Sequence, residues 1–189
     1  MSRAGGIYNH RVRQHMKPMM TDVQDSSPFE VHGPVVADKA AELLWRQGEL
    51  QKQWAKKYPE LFDERDLEIF LNQRHHHFYE ACAAIWWHER GYLCLVEKYD
   101  IKTPRERHPR KALIFHQSIS LPMFERMWVA KKKHGYRGPP DLFVYKSDLS
   151  DWFFCEVKGP ADKVRSGQSE FWKELEEIFM KRVRVLQFV

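Results

Sequence analysis

Long apolar runs are missing from this chain. No stretch approaches the about 20 consecutive apolar residues that a membrane-spanning helix needs, so no membrane partner is expected. Cysteine is scarce, and Cys82, Cys94 and Cys155 form an odd set, each inside an apolar segment. That distribution argues against a disulfide framework or a zinc site and reads as reduced core thiols. Basic residues near the N-terminus have no apolar run behind them, so no secretory signal is expected. The expected setting is soluble and intracellular, with no small-molecule organic cofactor.

Aromatic bulk and positive charge are plentiful. Seven Trp and twelve Phe among 43% apolar residues supply a core large enough for one domain with an appendage in 189 residues. The formal net charge of +5 favours a polyanionic partner without naming one.

The most informative stretch runs from Gly138-Pro139-Pro140-Asp141 to Cys155-Glu156-Val157-Lys158-Gly159-Pro160. Gly-Pro-Pro breaks whatever precedes it. Leu142 to Tyr145 then has the β-branched and aromatic character of a strand. Lys146 to Asp151 has turn chemistry, and Trp152 to Lys158 reads as the returning strand. A turn centred near Leu149 sets Asp141 opposite the region of Glu156 to Lys158. Glu156 and Lys158, two apart, share one face of their strand. Asp141 joins that face if the turn has the right register. Apolar residues on both faces make the hairpin a central, buried element. Two close carboxylates repel, and burial makes their charge costlier. A hard divalent cation, Mg2+ above all, removes that conflict. Lys158 is then placed to orient a water or to steady charge on a phosphate. The competing reading is a plain ion pair between Glu156 and Lys158 on a surface hairpin.

Pro140-Asp141, the run Glu156-Val157-Lys158-Gly159-Pro160-Ala161-Asp162-Lys163, and Gln168 together resemble the PD-(D/E)XK nuclease signature in its VRR-NUC form. The resemblance reaches from the region of Arg74 to the C-terminus. It implies an α/β fold with a restriction-endonuclease-like core, a mixed β-sheet flanked by helices, here with an N-terminal helical extension. It also implies a Mg2+- or Mn2+-dependent phosphodiesterase acting on duplex or branched DNA. Asp141 and Glu156 would bind the metal with the Val157 carbonyl. Glu80 matches the acidic position that the family carries on the helix before its first strand, and Glu97 is the second choice. Lys158 and Gln168 complete the catalytic set. A homodimer is favoured, since one site per chain cuts one strand. The alternatives kept are a catalytically silent nucleic-acid-binding module on the same fold, an RNA nuclease, and a structural or dimerisation subunit.

The remaining chain divides as follows. Residues 1–34, broken by Gly5-Gly6, Pro18, Pro28 and Gly33-Pro34, read as a flexible basic arm. Val35 to Lys57 reads as one helix weakened at Gly48, so that 35–64 forms an accessory helical segment ahead of a nuclease domain at 65–189. Asp66 to Arg90 is a long helical region with a break expected near His75-His76-His77. Three consecutive histidines fan out around a helix, so the run reads as a solvated or nucleic-acid-facing patch and not as a metal site. Tyr92 to Asp100 is the first strand, Ile101 to Lys111 a loop, and Leu113-Ile114-Phe115 a short strand. A helix opened by Ser120-Leu121-Pro122 ends in Lys131-Lys132-Lys133, with Arg137 beyond it. Those cations suit the helix dipole and also a phosphate backbone, and Lys163 and Arg165 are assigned to the same partner. Ser166 starts the last helix, whose apolar stripe is Phe171, Trp172, Leu175, Ile178 and Phe179, with Gln168 at its top. Val183 to Val189 reads as a closing strand.

Overall fold

Alternation is weak in the central strands of this chain because both of their faces are covered. Every residue of Leu142–Tyr145 and of Trp152–Lys158 is buried. Such strands read as continuous apolar runs, as two-sided burial requires. The computed structural model describes residues 29–100, 108–135 and 138–189. In chain order the elements are β1 (Glu30–Val35), α1 (Lys39–Gln47), α2 (Glu49–Lys57), α3 (Glu64–Asn72), α4 (Phe78–His88) and β2 (Leu93–Val96). Then come α5 (Pro109–Ser118), α6 (Leu121–Lys133), β3 (Leu142–Tyr145), β4 (Trp152–Lys158), α7 (Ser166–Phe179) and β5 (Val183–Phe188).

The fold is α/β: one mixed five-stranded sheet of order β1-β5-β4-β3-β2, with seven helices among the described residues. β1, β5 and β4 run parallel, whereas β4, β3 and β2 are antiparallel neighbours. Successive residues send side chains to opposite layers. Cys94, Val96, Leu142, Val144, Phe153, Cys155, Val157 and Leu186 pack in one layer with residues of α1 to α4. Leu95, Phe143, Tyr145, Trp152, Phe154, Val183 and Val185 pack in the other with α5 to α7. The segment read as accessory belongs to the first core. Trp45 of α1 lies 5.6 Å from Trp54, 5.0 Å from Phe70 and 5.9 Å from Phe78, ring centre to ring centre. Among the described residues, no helix is long and apolar enough to cross a membrane.

Three sequence expectations are corrected. Residues 1–28 of the expected arm lie outside the described residues, but Glu30–Val35 is a strand pairing with β5, not part of a flexible arm. Gly33-Pro34 argues against a strand, yet an edge position tolerates a proline that cannot donate to a ladder. The register there slips between His32 and Val35, a bulge that absorbs one residue. Leu113-Ile114-Phe115 lies within α5: Pro109 occupies its first turn, and Ala112 and Phe115 give it a buried face at helical spacing. The Val35 to Lys57 helix is two helices, because Gly48 sits at φ +87°, ending α1 with its N–H on Leu44 and Trp45 carbonyls. Asp66 to Arg90 likewise splits at the histidines, into α3 and α4, where a break was expected.

Gly33 has φ +117°, and a Cβ there would stand 2.6 Å from the Gln187 carbonyl oxygen of β5. Gly33→Ala is therefore expected to loosen β1 and lower stability by about 2 kcal/mol. Urea denaturation would show it, and a change within about 0.5 kcal/mol would mean that β1 gives way freely.

Candidate active site

The β3–β4 ladder pairs Leu142 with Cys155 and Phe143 with Phe154. Asp141, one residue ahead, thus falls across from Glu156. The turn closes through Leu149 at φ +58°. Backbone contacts fix Asp141 from two sides: its carbonyl accepts from Glu97 N (2.8 Å), and its Oδ2 accepts from Val157 N (2.8 Å). Tyr99 adds a 2.5 Å hydrogen bond from its hydroxyl to the Pro140 carbonyl.

Glu156 and Lys158 are 4% and 7% exposed, side by side on the layer that α7 covers. Lys158 Nζ lies 2.7 Å from Glu156 Oε1. Gln168, in the first turn of α7, donates from Nε2 to the same oxygen at 3.1 Å. Its own Oε1 lies 3.5 Å from Lys158 Nζ and accepts from Arg165 N at 3.3 Å. Gln168 therefore both caps its helix and ties the helix to the β4 pair. The turn after β4 is held by Asp162, whose Oδ2 accepts from Gly159 N (3.0 Å), and by Gln187 Nε2, which donates to the Lys158 and Gly159 carbonyls.

Glu80 comes from the opposite layer. Helix α4 packs on β2, β3 and β4, and Glu80 stands in its first turn, at the strand ends. There it meets His77 and Glu97, and the ligand-type atoms of these three residues lie within 4.8 Å of one another. His77 and Glu97 both occupy left-handed backbone, at φ +65° and +46°, and Lys98 follows at +48°. Such conformations cost about 1–2 kcal/mol per non-glycine residue and persist only where surrounding contacts hold them. One holder is Lys111, which enters from α5 and donates to the carbonyls of Val96 and Glu97 while ion-pairing with Asp66 at 2.5 Å.

The electrostatics are costly. Burial, then the charges of Glu156 and Glu80, push the Asp141 carboxyl well above its ordinary value, against the Val157 N–H. Burial likewise raises Glu156, against Lys158 and Gln168. Glu80 is raised by burial and by the charges of Glu97 and Glu156, against His77. Crowded carboxylates repelling one another, Glu156 buried and Asp141 and Glu80 half-buried, form an oxygen donor set that suits a hard divalent cation.

A stability experiment reads this directly. Folding raises these carboxyl values, so the folded state holds more protons than the unfolded one between the ordinary carboxylate range and the raised values. Stability from these groups therefore falls as pH rises through that window and is flat above it. In chelator, Asp141→Asn should melt a few degrees above the wild type at neutral pH, with the gap closing toward about pH 4. A variant that melts lower at neutral pH would count against the crowding.

Two expectations about charge are revised in part. Of the three histidines, His75 and His76 are exposed as expected, but His77 is buried and joins the acidic cluster. Its placement depends on the left-handed residue that separates α3 from α4, for which the sequence carries no signal beyond the expected break. Of the proposed phosphate contacts, Lys131 is ion-paired with Asp100, and Lys133 with Glu174 at 2.8 Å. Lys132, Lys163 and Arg165 are exposed, and Arg137 lies outside the described residues. The Asp66–Lys111 pair has no signal in the sequence, since nothing local joins residues so far apart. No protein-family model matches the chain, and no curated protein matches it.

Proposed function

We propose that this chain is a divalent-metal-dependent phosphodiesterase that cuts DNA, a VRR-NUC-type PD-(D/E)XK nuclease with a restriction-endonuclease-like core. The observation supporting it is the meeting of Asp141, Glu156, Lys158 and Gln168 at one end of a buried hairpin. Asp141, Glu156 and the Val157 carbonyl would hold Mg2+ or Mn2+, with Glu80 completing the first site or supporting a second ion. The cation, when bound, polarises a phosphoryl oxygen and lowers the pKa of water.

The chain's own groups do the rest. Lys158 supplies a fixed positive charge in a water-poor place, where it orients an attacking water or steadies charge growing on the phosphate. Gln168 holds Lys158 and Glu156 in one arrangement, so little reorganisation remains at the moment of reaction. Exposed Lys132, Lys163 and Arg165 would meet the phosphate backbone, and the N-terminus of α7 adds its dipole. Duplex or branched DNA is the proposed substrate, and a homodimer the proposed assembly.

Cleavage assays on supercoiled plasmid and on labelled duplex, flap, junction and RNA substrates test this, each with Mg2+, Mn2+ or chelator. Metal-dependent DNA cutting is expected. No cutting of any substrate while DNA binding persists would replace the proposal with a silent binding module. Cutting of RNA alone would replace the substrate.

A further inference from the structure

His77 is 8% exposed, and its two ring nitrogens have different surroundings. Nε2 lies 2.8 Å from Gln73 Oε1, an acceptor, so it carries the proton. Nδ1 is buried and stands 3.1 Å from Glu97 Oε1, at ion-pair distance, with Glu80 alongside. A neutral ring would set the Nδ1 lone pair against two carboxylates, and a proton on Nδ1 relieves this. Against burial, which lowers it, the hydrogen bond and charge of Glu97 and the charge of Glu80 hold the imidazole above its ordinary value. A metal cation seated among the three would take that proton's place, with the neutral Nδ1 and both carboxylates as donors.

We propose that His77, Glu80 and Glu97 form a second cation site, separate from Asp141 and Glu156, that takes a first-row transition ion such as Mn2+, Co2+ or Zn2+ in preference to Mg2+. One imidazole and two carboxylates make a mixed donor set, and a nitrogen ligand favours those ions over magnesium. Ligands at about 2.0–2.1 Å from the ion stand about 3.4 Å apart. Donor atoms already within 4.8 Å need only side-chain rotation to reach that spacing. Gln73 supplies the outer hydrogen bond that metal-bound histidines use to fix their tautomer. Three protein donors leave positions open for water, and a cleft of about 180 Å³ reaches two of them, His77 and Glu80. The site shares Glu80 with the proposed nuclease centre, whose second choice for that acid is Glu97, so His77 is the donor that sets it apart.

Co2+ titration of the full chain, followed by visible absorption and by thermal shift, tests the site. Wild type, His77→Gly, Glu97→Gln and Asp141→Asn would run in parallel. Glycine suits the left-handed backbone at position 77, and Gln keeps the shape of Glu97, so both variants are expected to fold. The wild type should show a Co2+ absorption band and a larger rise in melting temperature than Mg2+ gives at equal concentration. His77→Gly and Glu97→Gln should weaken Co2+ binding at least about tenfold, while Asp141→Asn retains the band. An unchanged titration in His77→Gly overturns the site, as does a wild type with no band. Loss in Asp141→Asn with retention in His77→Gly overturns it too, placing the ion at the hairpin. Plasmid cleavage is read separately: a protein that binds Co2+ through His77 but cuts nothing refutes the nuclease reading alone.

Discussion

Lys158→Met should lower single-turnover DNA cleavage by about 10²–10³-fold, the usual cost of removing one preorganised charge from a reacting centre. Methionine keeps most of the stem's bulk and deletes the ammonium that lies 2.7 Å from Glu156 and 3.5 Å from Gln168. The same change leaves a buried carboxylate with Gln168 as its remaining side-chain donor. Stability should therefore fall as well. Asp141→Asn provides the contrast: cleavage should fall as far, while the metal-free protein becomes more stable because a crowded carboxylate is gone. Two variants with matching loss of activity and opposite shifts in melting temperature cannot be explained by unfolding. Cleavage within about tenfold of wild type in either variant would put the active centre elsewhere.

Lys111→Met should cost about 3–5 kcal/mol, the largest stability loss expected from any single change discussed for this chain. Lys111 and Asp66 are each 1% exposed and lie 2.5 Å apart. Without the ammonium, a buried carboxylate loses its counter-charge, and the carbonyls of Val96 and Glu97 lose a donor. Asp66→Asn has one oxygen for two donors, the Lys111 ammonium and the Asp63 N–H, but should cost less, since the ammonium keeps the Val96 and Glu97 carbonyls. Urea denaturation of both variants gives the comparison, and a Lys111→Met loss under about 1 kcal/mol would show that water replaces the ammonium. The effect reaches the candidate site through the backbone, because Glu97 N also donates to the Asp141 carbonyl.

The hairpin was the legible part of this protein. Its strands are short, apolar on both faces and bounded by Gly-Pro-Pro and Gly-Pro, so local chemistry sets their limits, and two-residue periodicity puts Glu156 beside Lys158. The helix boundaries around α6 and α7 followed from Ser120-Leu121-Pro122 and from the aromatic stripe of α7. β1 was hidden because what makes it a strand is β5, a partner far along the chain, while its own Gly33-Pro34 signals a turn. Leu113-Ile114-Phe115 is too short to separate strand from helix by pattern, and the fold decides through Phe115. His77 was hidden for another reason. Its burial rests on a left-handed backbone angle maintained by tertiary contacts, and Lys111 reaches its ion pair across a distance no window spans.

The place of β5 in the sheet has a consequence for synthesis. It lies between β1 and β4, and Glu30 of β1 pairs with Arg184 of β5, an ion pair bridging 154 residues of chain. A ribosome releases β1 well before β5, so β1 leaves the tunnel without the strand it docks on. β2, β3 and β4 are contiguous in the sheet and can assemble first, and only the emergence of Val183–Phe188 lets β1 close the edge. Such distant pairing makes folding slow and leaves β4 with an open side until late. The sheet is thus completed from its middle, and β1 is joined to β4 only once that last strand is in place.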